Sequence, residues 1–134
     1  MTKRLEFHVE GNPVSQGSIN VYKGRAVAVK APLRKWRDAI RRESLEAAGP
    51  EHEIWDCPAA ITVTFHMPAP ANPRWPVPAT SLDIDKCLRA VFDALTHTKK
   101  QAGIIINDSR FIEVHTVQRY GTPGATITLR EVAP

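Results

Sequence analysis

Five prolines, Pro68, Pro70, Pro73, Pro76 and Pro78, fall within eleven residues near the middle of the chain. Proline fixes φ and lacks an N–H, so this stretch can neither continue a helix nor join a central strand; it is extended and stiff. It separates two different periodicities. Before it, Ile61, Val63, Phe65 and Met67 alternate with Thr62, Thr64 and His66, which predicts a strand. After it, Ile84, Leu88, Val91, Phe92 and Leu95 recur at helical spacing and predict a helix from about Leu82 to Thr96. Neither side would make a core alone, so the proline segment reads as a loop within a single domain, residues 1–134. The apolar share of 43% suffices for one small core.

The remaining elements follow from the same rules. Leu5, Phe7 and Val9 alternate with Glu6, His8 and Glu10, a strand that Gly11-Asn12-Pro13 ends. Ser18–Tyr22 and Arg25–Lys30 flank Lys23-Gly24 and read as a hairpin or arm. Pro32 suits the first turn of a helix and Gly49-Pro50 its end, with Leu33, Trp36, Ile40, Ser44 and Ala47 on one side. Thr98–Ala102 is a polar loop and Ile104–Ile106 a short apolar run. Phe111–Tyr120 and Ala125–Val132 are two further strands, expected as a closing antiparallel hairpin around Gly121–Gly124. The order implies an α+β fold: a small mixed or antiparallel sheet with two main helices.

Charge narrows the partners. The net charge is +4 and the pI about 9.3. Residues 23–42 concentrate it: Lys23, Arg25, Lys30, Arg34, Lys35, Arg37, Arg41 and Arg42 against Asp38 alone. Such a stretch can contact phosphates, or can be a solvated helix face. The two cysteines, Cys57 and Cys87, have neither metal-ligand spacing nor the density of a disulfide scaffold, which implies a reducing compartment. No apolar run has the length of a membrane span, so a cytoplasmic protein is expected. His8, His52, His66, His97 and His115 show no ligand spacing.

The chemistry concentrates in acids. Asp83 and Asp85 stand where the proline-rich loop becomes a helix, and Asp108 follows the apolar run in an Asn107-Asp108-Ser109 turn. Asp83 alone would be an ordinary helix N-cap. Asp85 shares a face with Arg89 and Asp93, away from the apolar stripe, and an Asp93–Arg89 pair is the expected structural contact there. Clustered carboxylates persist when protonated, salt-bridged or bridged by a cation. Mg²⁺ takes such oxygen ligands together with waters and substrate phosphates, and a helix N-terminus adds affinity for phosphate. Spacing alone leaves a metal site and a solvated acidic turn both open.

The run Asp83-Ile84-Asp85-Lys86-Cys87-Leu88-Arg89-Ala90-Val91-Phe92-Asp93-Ala94-Leu95-Thr96, followed by Ile106-Asn107-Asp108-Ser109-Arg110-Phe111-Ile112, resembles the RusA-type Holliday junction resolvases, common in bacteriophages and prophages. Gly11-Asn12-Pro13-Val14-Ser15-Gln16-Gly17 and the Pro32…Trp36 helix start resemble the family's N-terminal half. The resemblance implies a homodimeric α+β endonuclease that nicks four-way DNA junctions symmetrically with Mg²⁺ or Mn²⁺. By position it assigns metal ligation to Asp83, Asp85 and Asp108, and places the family's catalytic-region lysine at Arg89. Arg89 is always charged, so an electrostatic role is expected of it. Lys86 stands where Asn is frequent, Asn107 where a second Asp is usual, and Gln16 where lysine is frequent. Lys86, Arg34, Lys35, Arg41, Lys99, Lys100 and Arg119 are the candidate DNA contacts, and Trp75 is a candidate for stacking on a base or against a partner subunit. Two alternatives stay beside the resolvase: a binding protein for branched DNA without the chemistry, and a nuclease for other branched DNA.

Overall fold

The alternation read at the start of the chain is reproduced residue by residue in β1 (Arg4–Glu10), where Leu5, Phe7 and Val9 are buried and their neighbours exposed. The protein is described here from a computed structural model covering residues 3–17, 21–22, 25–26, 31–80 and 82–133. A two-residue pair, β2 (Val21–Tyr22) and β3 (Arg25–Ala26), forms the expected antiparallel arm. The rest of that arm, including Lys23, Gly24 and Lys30, lies outside the described residues. Helix α1 (Ala31–Ala48) begins one residue before Pro32 and stops at Gly49, whose φ of +85° suits glycine. Then come β4 (Ala59–Met67), α2 (Ile84–Leu95), a 3₁₀ turn (Asp108–Arg110), β5 (Phe111–Tyr120) and β6 (Gly124–Glu131).

The fold is α+β: two helices and a four-stranded mixed sheet in the order β1-β6-β4-β5. β6 runs antiparallel to both β1 and β4, and β5 runs parallel to β4. This corrects the expected closing hairpin, because β5 and β6 are not neighbours; β4 lies between them. The reason is composition. β4 is apolar or small on nearly every buried position and fits the middle of a sheet, whereas β5 carries Glu113, His115, Gln118 and Arg119 and fits an edge. The short connection crosses the end of β4, where the Gly121 N–H donates to the Met67 carbonyl at 3.0 Å.

Paired residues share a face, so one side of the sheet gathers Leu5, Phe7 and Val9 with Leu129, Ile127, Ala125, Ile61, Val63, Phe65 and Met67. This side forms the core with Trp36 and Ile40 of α1 and Cys87, Val91 and Leu95 of α2. The helices differ from expectation in detail. Ala47 is exposed on α1. On α2 the buried residues are Cys87, Ala90, Val91, Ala94 and Leu95, while Leu88 and Phe92 flank them and Ile84 is exposed. Small alanines let α2 lie close to the sheet, and the bulkier residues move to its margins. Ile104 and Ile105 are buried, and Ile105 bridges to Trp55 and Thr96 without forming a full strand.

Candidate metal and DNA site

Helix α2 starts with Asp83 in extended conformation as N-cap residue; its carbonyl accepts from the N–H groups of Lys86 (3.1 Å) and Cys87 (3.0 Å). Its carboxylate makes no capping hydrogen bond. That side chain is 70% exposed and meets the Lys86 ammonium at 3.4 Å, an i,i+3 pair that competes only weakly in water. Asp85 is exposed in the first turn, with no ion-pair partner among the described residues. Both acids surround one buried point: burial pushes the Cys87 thiol up to about 11, and the charges of Asp83 and then Asp85 add to that rise. Arg89 stands one turn beyond Asp85, exposed and without a carboxylate partner among the described residues.

Asp93 does not pair with Arg89. It accepts a hydrogen bond from Gln16 Nε2, and the Gln16 N–H donates to the Lys86 carbonyl at 3.0 Å. The segment is thereby held to α2 at Gln16, while the Gly11 N–H donates to the Pro123 carbonyl at 3.2 Å; Pro13 is buried and Val14 packs on the core. Gln16 thus ties the segment after β1 to both the first and the later turns of α2.

Asp108 is elsewhere. The Phe111 ring stacks on Phe92 with centroids 5.1 Å apart, and Gln118 Nε2 donates to the Leu82 carbonyl at 2.9 Å. β5 therefore runs antiparallel to α2. The 3₁₀ turn lies past the Phe92 end of the helix, Asp83 and Asp85 at the Leu82 end. From Asp85 to Phe92 is seven residues, about 10 Å of helix. Among the described residues no three His, Cys, Asp or Glu side chains stand close enough to hold a metal ion. The 3₁₀ turn is instead tied to a residue that the sequence did not single out: Arg110 Nε donates to Asp56 at 2.8 Å and its Nη1 to Ser109 Oγ at 3.1 Å. No local pattern marks Asp56, because the Trp55–Ile105 bridge that delivers it joins distant segments.

The basic residues divide into groups. Arg34, Arg37 and Arg41 of α1 line a cavity of about 260 Å³ with Asp38 and Gln101. Arg41 is only 14% exposed, bonds Asp38 at 2.9 Å, and keeps a buried Nε without a partner among the described residues. Gln101 reaches back to the Asp93 carbonyl at 3.3 Å, and Lys99 and Lys100, which precede it in the same loop, are exposed. Arg37 and Gln101 were not expected in this cavity. Lys35 is exposed on α1 and Arg119 on β5, each apart from the cavity's lining. Trp75 is 42% exposed, with the Arg74 guanidinium 4.3 Å over its ring.

An open carboxylate pair at a helix start and arginines on the neighbouring helix are groups able to meet a phosphate, directly or through a cation. The sequence model of the family endodeoxyribonuclease RusA matches residues 10–130, most of the chain. The chain belongs to the RusA endodeoxyribonuclease family, and by that membership it is a nuclease of Holliday junction resolution. No curated protein matches it. Among the described residues no helix is long and apolar enough to cross a membrane.

Proposed function

We propose that the protein is a divalent-metal-dependent, homodimeric resolvase that nicks four-way DNA junctions in pairs, working in the cytoplasm of a bacterial host as a phage-type enzyme. The observation that carries the reading is the carboxylate pair Asp83 and Asp85, exposed at the start of α2 and uncapped, in a chain of the RusA family. The donor set fits Mg²⁺ or Mn²⁺, because both are hard carboxylate oxygens and such ions take one or two of them with waters and phosphate oxygens. Asp83, Asp85 and Asp108 are the ligands proposed; since α2 separates Asp108 from the pair within one chain, the three can meet at one ion only if a second copy contributes. A bound divalent ion supplies charge neutralisation at the scissile phosphate and an activated water.

The protein's own groups do the rest. The N-terminal N–H groups of α2 face the phosphate with favourable dipoles. Arg89, permanently charged, holds the phosphate oxygens beside Asp85. Lys86, Arg119, Arg34, Lys35, Arg41, Lys99 and Lys100 bind flanking phosphates. Two sites on a two-fold axis match the two-fold symmetry of the junction.

The test is a synthetic four-way junction with and without EDTA. Mg²⁺-dependent nicking is expected, and Asp85→Asn should lower it by about a hundredfold, or ~3 kcal/mol of barrier, while junction binding persists. Undiminished cutting by Asp85→Asn would sink the reading. A binding-only protein is the second reading, favoured by the Lys86 ammonium beside Asp83. Binding without nicking in both Mg²⁺ and Mn²⁺ would select it, and cutting of flaps in preference to junctions would point to other branched DNA.

A further inference from the structure

Helix α1 carries three arginines on one face with too little negative charge to answer them. Arg34, Arg37 and Arg41 recur at i, i+3 and i+7, so their side chains stand one above another. Like charges at this spacing destabilise a helix, and the first turn of α1 has no acidic residue to offset them. Among the described lining residues of their cavity the one carboxylate is Asp38, which accepts from Arg41 Nη1 at 2.9 Å. Arg41 is largely withdrawn from water, and its Nε is buried without a partner among the described residues. A guanidinium in that position, answered on one side only, is costly to the fold. The opposite wall is firmly built. Thr98 Oγ1 accepts from the N–H groups of Lys100 and Gln101, and the Thr98 N–H donates to the Gln101 carbonyl at 2.9 Å. Gln101 Nε2 then donates to the Asp93 carbonyl of α2. The cavity of about 260 Å³ is therefore a positive seat closed by a braced loop.

We infer that this cavity seats one backbone phosphate of the bound DNA, held by Arg34, Arg37 and Arg41 and closed by Gln101, and that it fixes the strand at a set distance from the start of α2. The inference rests on the family's DNA substrate and not on the metal reading. A phosphodiester carries one negative charge on two free oxygens, and guanidinium forks match that geometry. Seated here, it relieves the repulsion along the arginine stripe and supplies the charge that Arg41 lacks. The volume leaves room for the group and several waters, at about 30 Å³ each. The seat also has a fixed place. Gln101 grips α2 at Asp93, eight residues beyond Asp85, which is about 12 Å of helix. Phosphates of one strand follow each other at about 3.4 Å along a duplex axis, so a strand laid along α2 covers that span in about three to four of them. General basicity of α1 does not account for the arrangement. Arg42, on the same helix, is exposed, faces Glu43 at 3.6 Å and is not part of the lining.

The test is binding of a synthetic four-way junction in EDTA, where only affinity is read. Phosphates of one arm are replaced one at a time by neutral methylphosphonates, and each junction is titrated with the wild type and with Arg34→Gln/Arg37→Gln. At one position the replacement should weaken the wild type about tenfold and the variant less than about twofold, because the variant has already lost that contact. On the unmodified junction the variant should bind about tenfold more weakly, with a salt slope shallower by about 0.9, the value of one phosphate. Neither arginine belongs to the buried core, so the variant should keep the wild-type urea midpoint. Arg42→Gln should follow the wild type through the whole scan. Parallel profiles of wild type and Arg34→Gln/Arg37→Gln at every position overturn the seat, and so does an equal loss in Arg42→Gln. Parallel profiles together with displacement of the junction by inorganic phosphate, beyond that by chloride of equal ionic strength, overturn it in favour of a free anion. Because cutting is not read, a junction that is bound but never nicked would remove the proposed function and leave this comparison valid.

Discussion

β1 and β5 are the two edges of one sheet, and they end it in different ways. β1 alternates strictly, puts Leu5, Phe7 and Val9 under α1, and shows charged Arg4, Glu6 and Glu10 on its open face. Charge on an edge discourages further pairing. β5 has an extra residue, Ile112, at the register shift opposite Ala59/Ala60, and Ile112 and Val114 stand out from the fold. One edge is completed by its own chain. The other leaves the apolar Ile112 and Val114 exposed.

The largest way to break the comparison is at β1. A Cβ on Gly124 would land on the carbonyl oxygen of Val9, which is backbone and cannot swing away. Gly124→Ala should therefore cost about 3 kcal/mol or more, at the upper end for overpacking, read as a lower urea midpoint. A mild effect would mean that β1 is held less rigidly against β6 than its seven-residue register implies.

On the β5 side the most deeply buried ionisable group is Cys87. Its thiol is raised from near 9 to about 11, chiefly by burial. The unfolded chain then loses this proton first, so the native state binds more protons between those values and stability falls as pH rises through them. The decline should amount to about 3 kcal/mol at most, and Cys87→Ala should flatten it. Measured in EDTA, an unchanged alkaline slope in the variant would assign the decline to other groups.

A matched pair of valines sharpens the contrast further. Val9→Ala removes fully buried methyls and should cost about 2 kcal/mol. Val114→Ala in dilute protein should cost less than about 0.5 kcal/mol. Raising the concentration should leave the first value unchanged and increase the second if β5 becomes buried against another copy. Equal costs at every concentration would erase the distinction between the edges.

The sequence made β1 and β4 readable because each has a buried face with period two, and α1 because proline and glycine mark its ends. It misplaced β5 because strand periodicity says nothing about neighbours. The closing turn at Gly121–Gly124 looks like a hairpin, yet the apolar β4 takes the central place. The acids Asp83, Asp85 and Asp108 stood out by type and motif. Their distribution over the two ends of α2 did not, since it depends on the Phe92–Phe111 stack and the Gln118–Leu82 bond, contacts between segments far apart in sequence. Asp93 was misread for a related reason: i,i+4 spacing permits a pair with Arg89, but a loop seventy-seven residues upstream supplies Gln16 instead.

The smallest expected effect concerns the turn that delivers Asp108. Asp56 and Arg110 form an exposed pair at 2.8 Å, of a kind that stabilises by about 1 kcal/mol or less. Asp56→Ala should thus barely move the urea midpoint. Its consequence is local: without Asp56, Arg110 keeps only Ser109 as a side-chain partner among the described residues, and the start of β5 loses its tie to the Trp55 segment. Amide exchange at Ser109 to Phe111 should quicken while β1 amides keep their protection. Nicking should fall less than in Asp108→Asn, because the carboxylate remains and only its placement loosens. Exchange that quickened equally at β1 would show the pair to support the whole sheet, and the two edges would then differ in composition but not in mechanical independence.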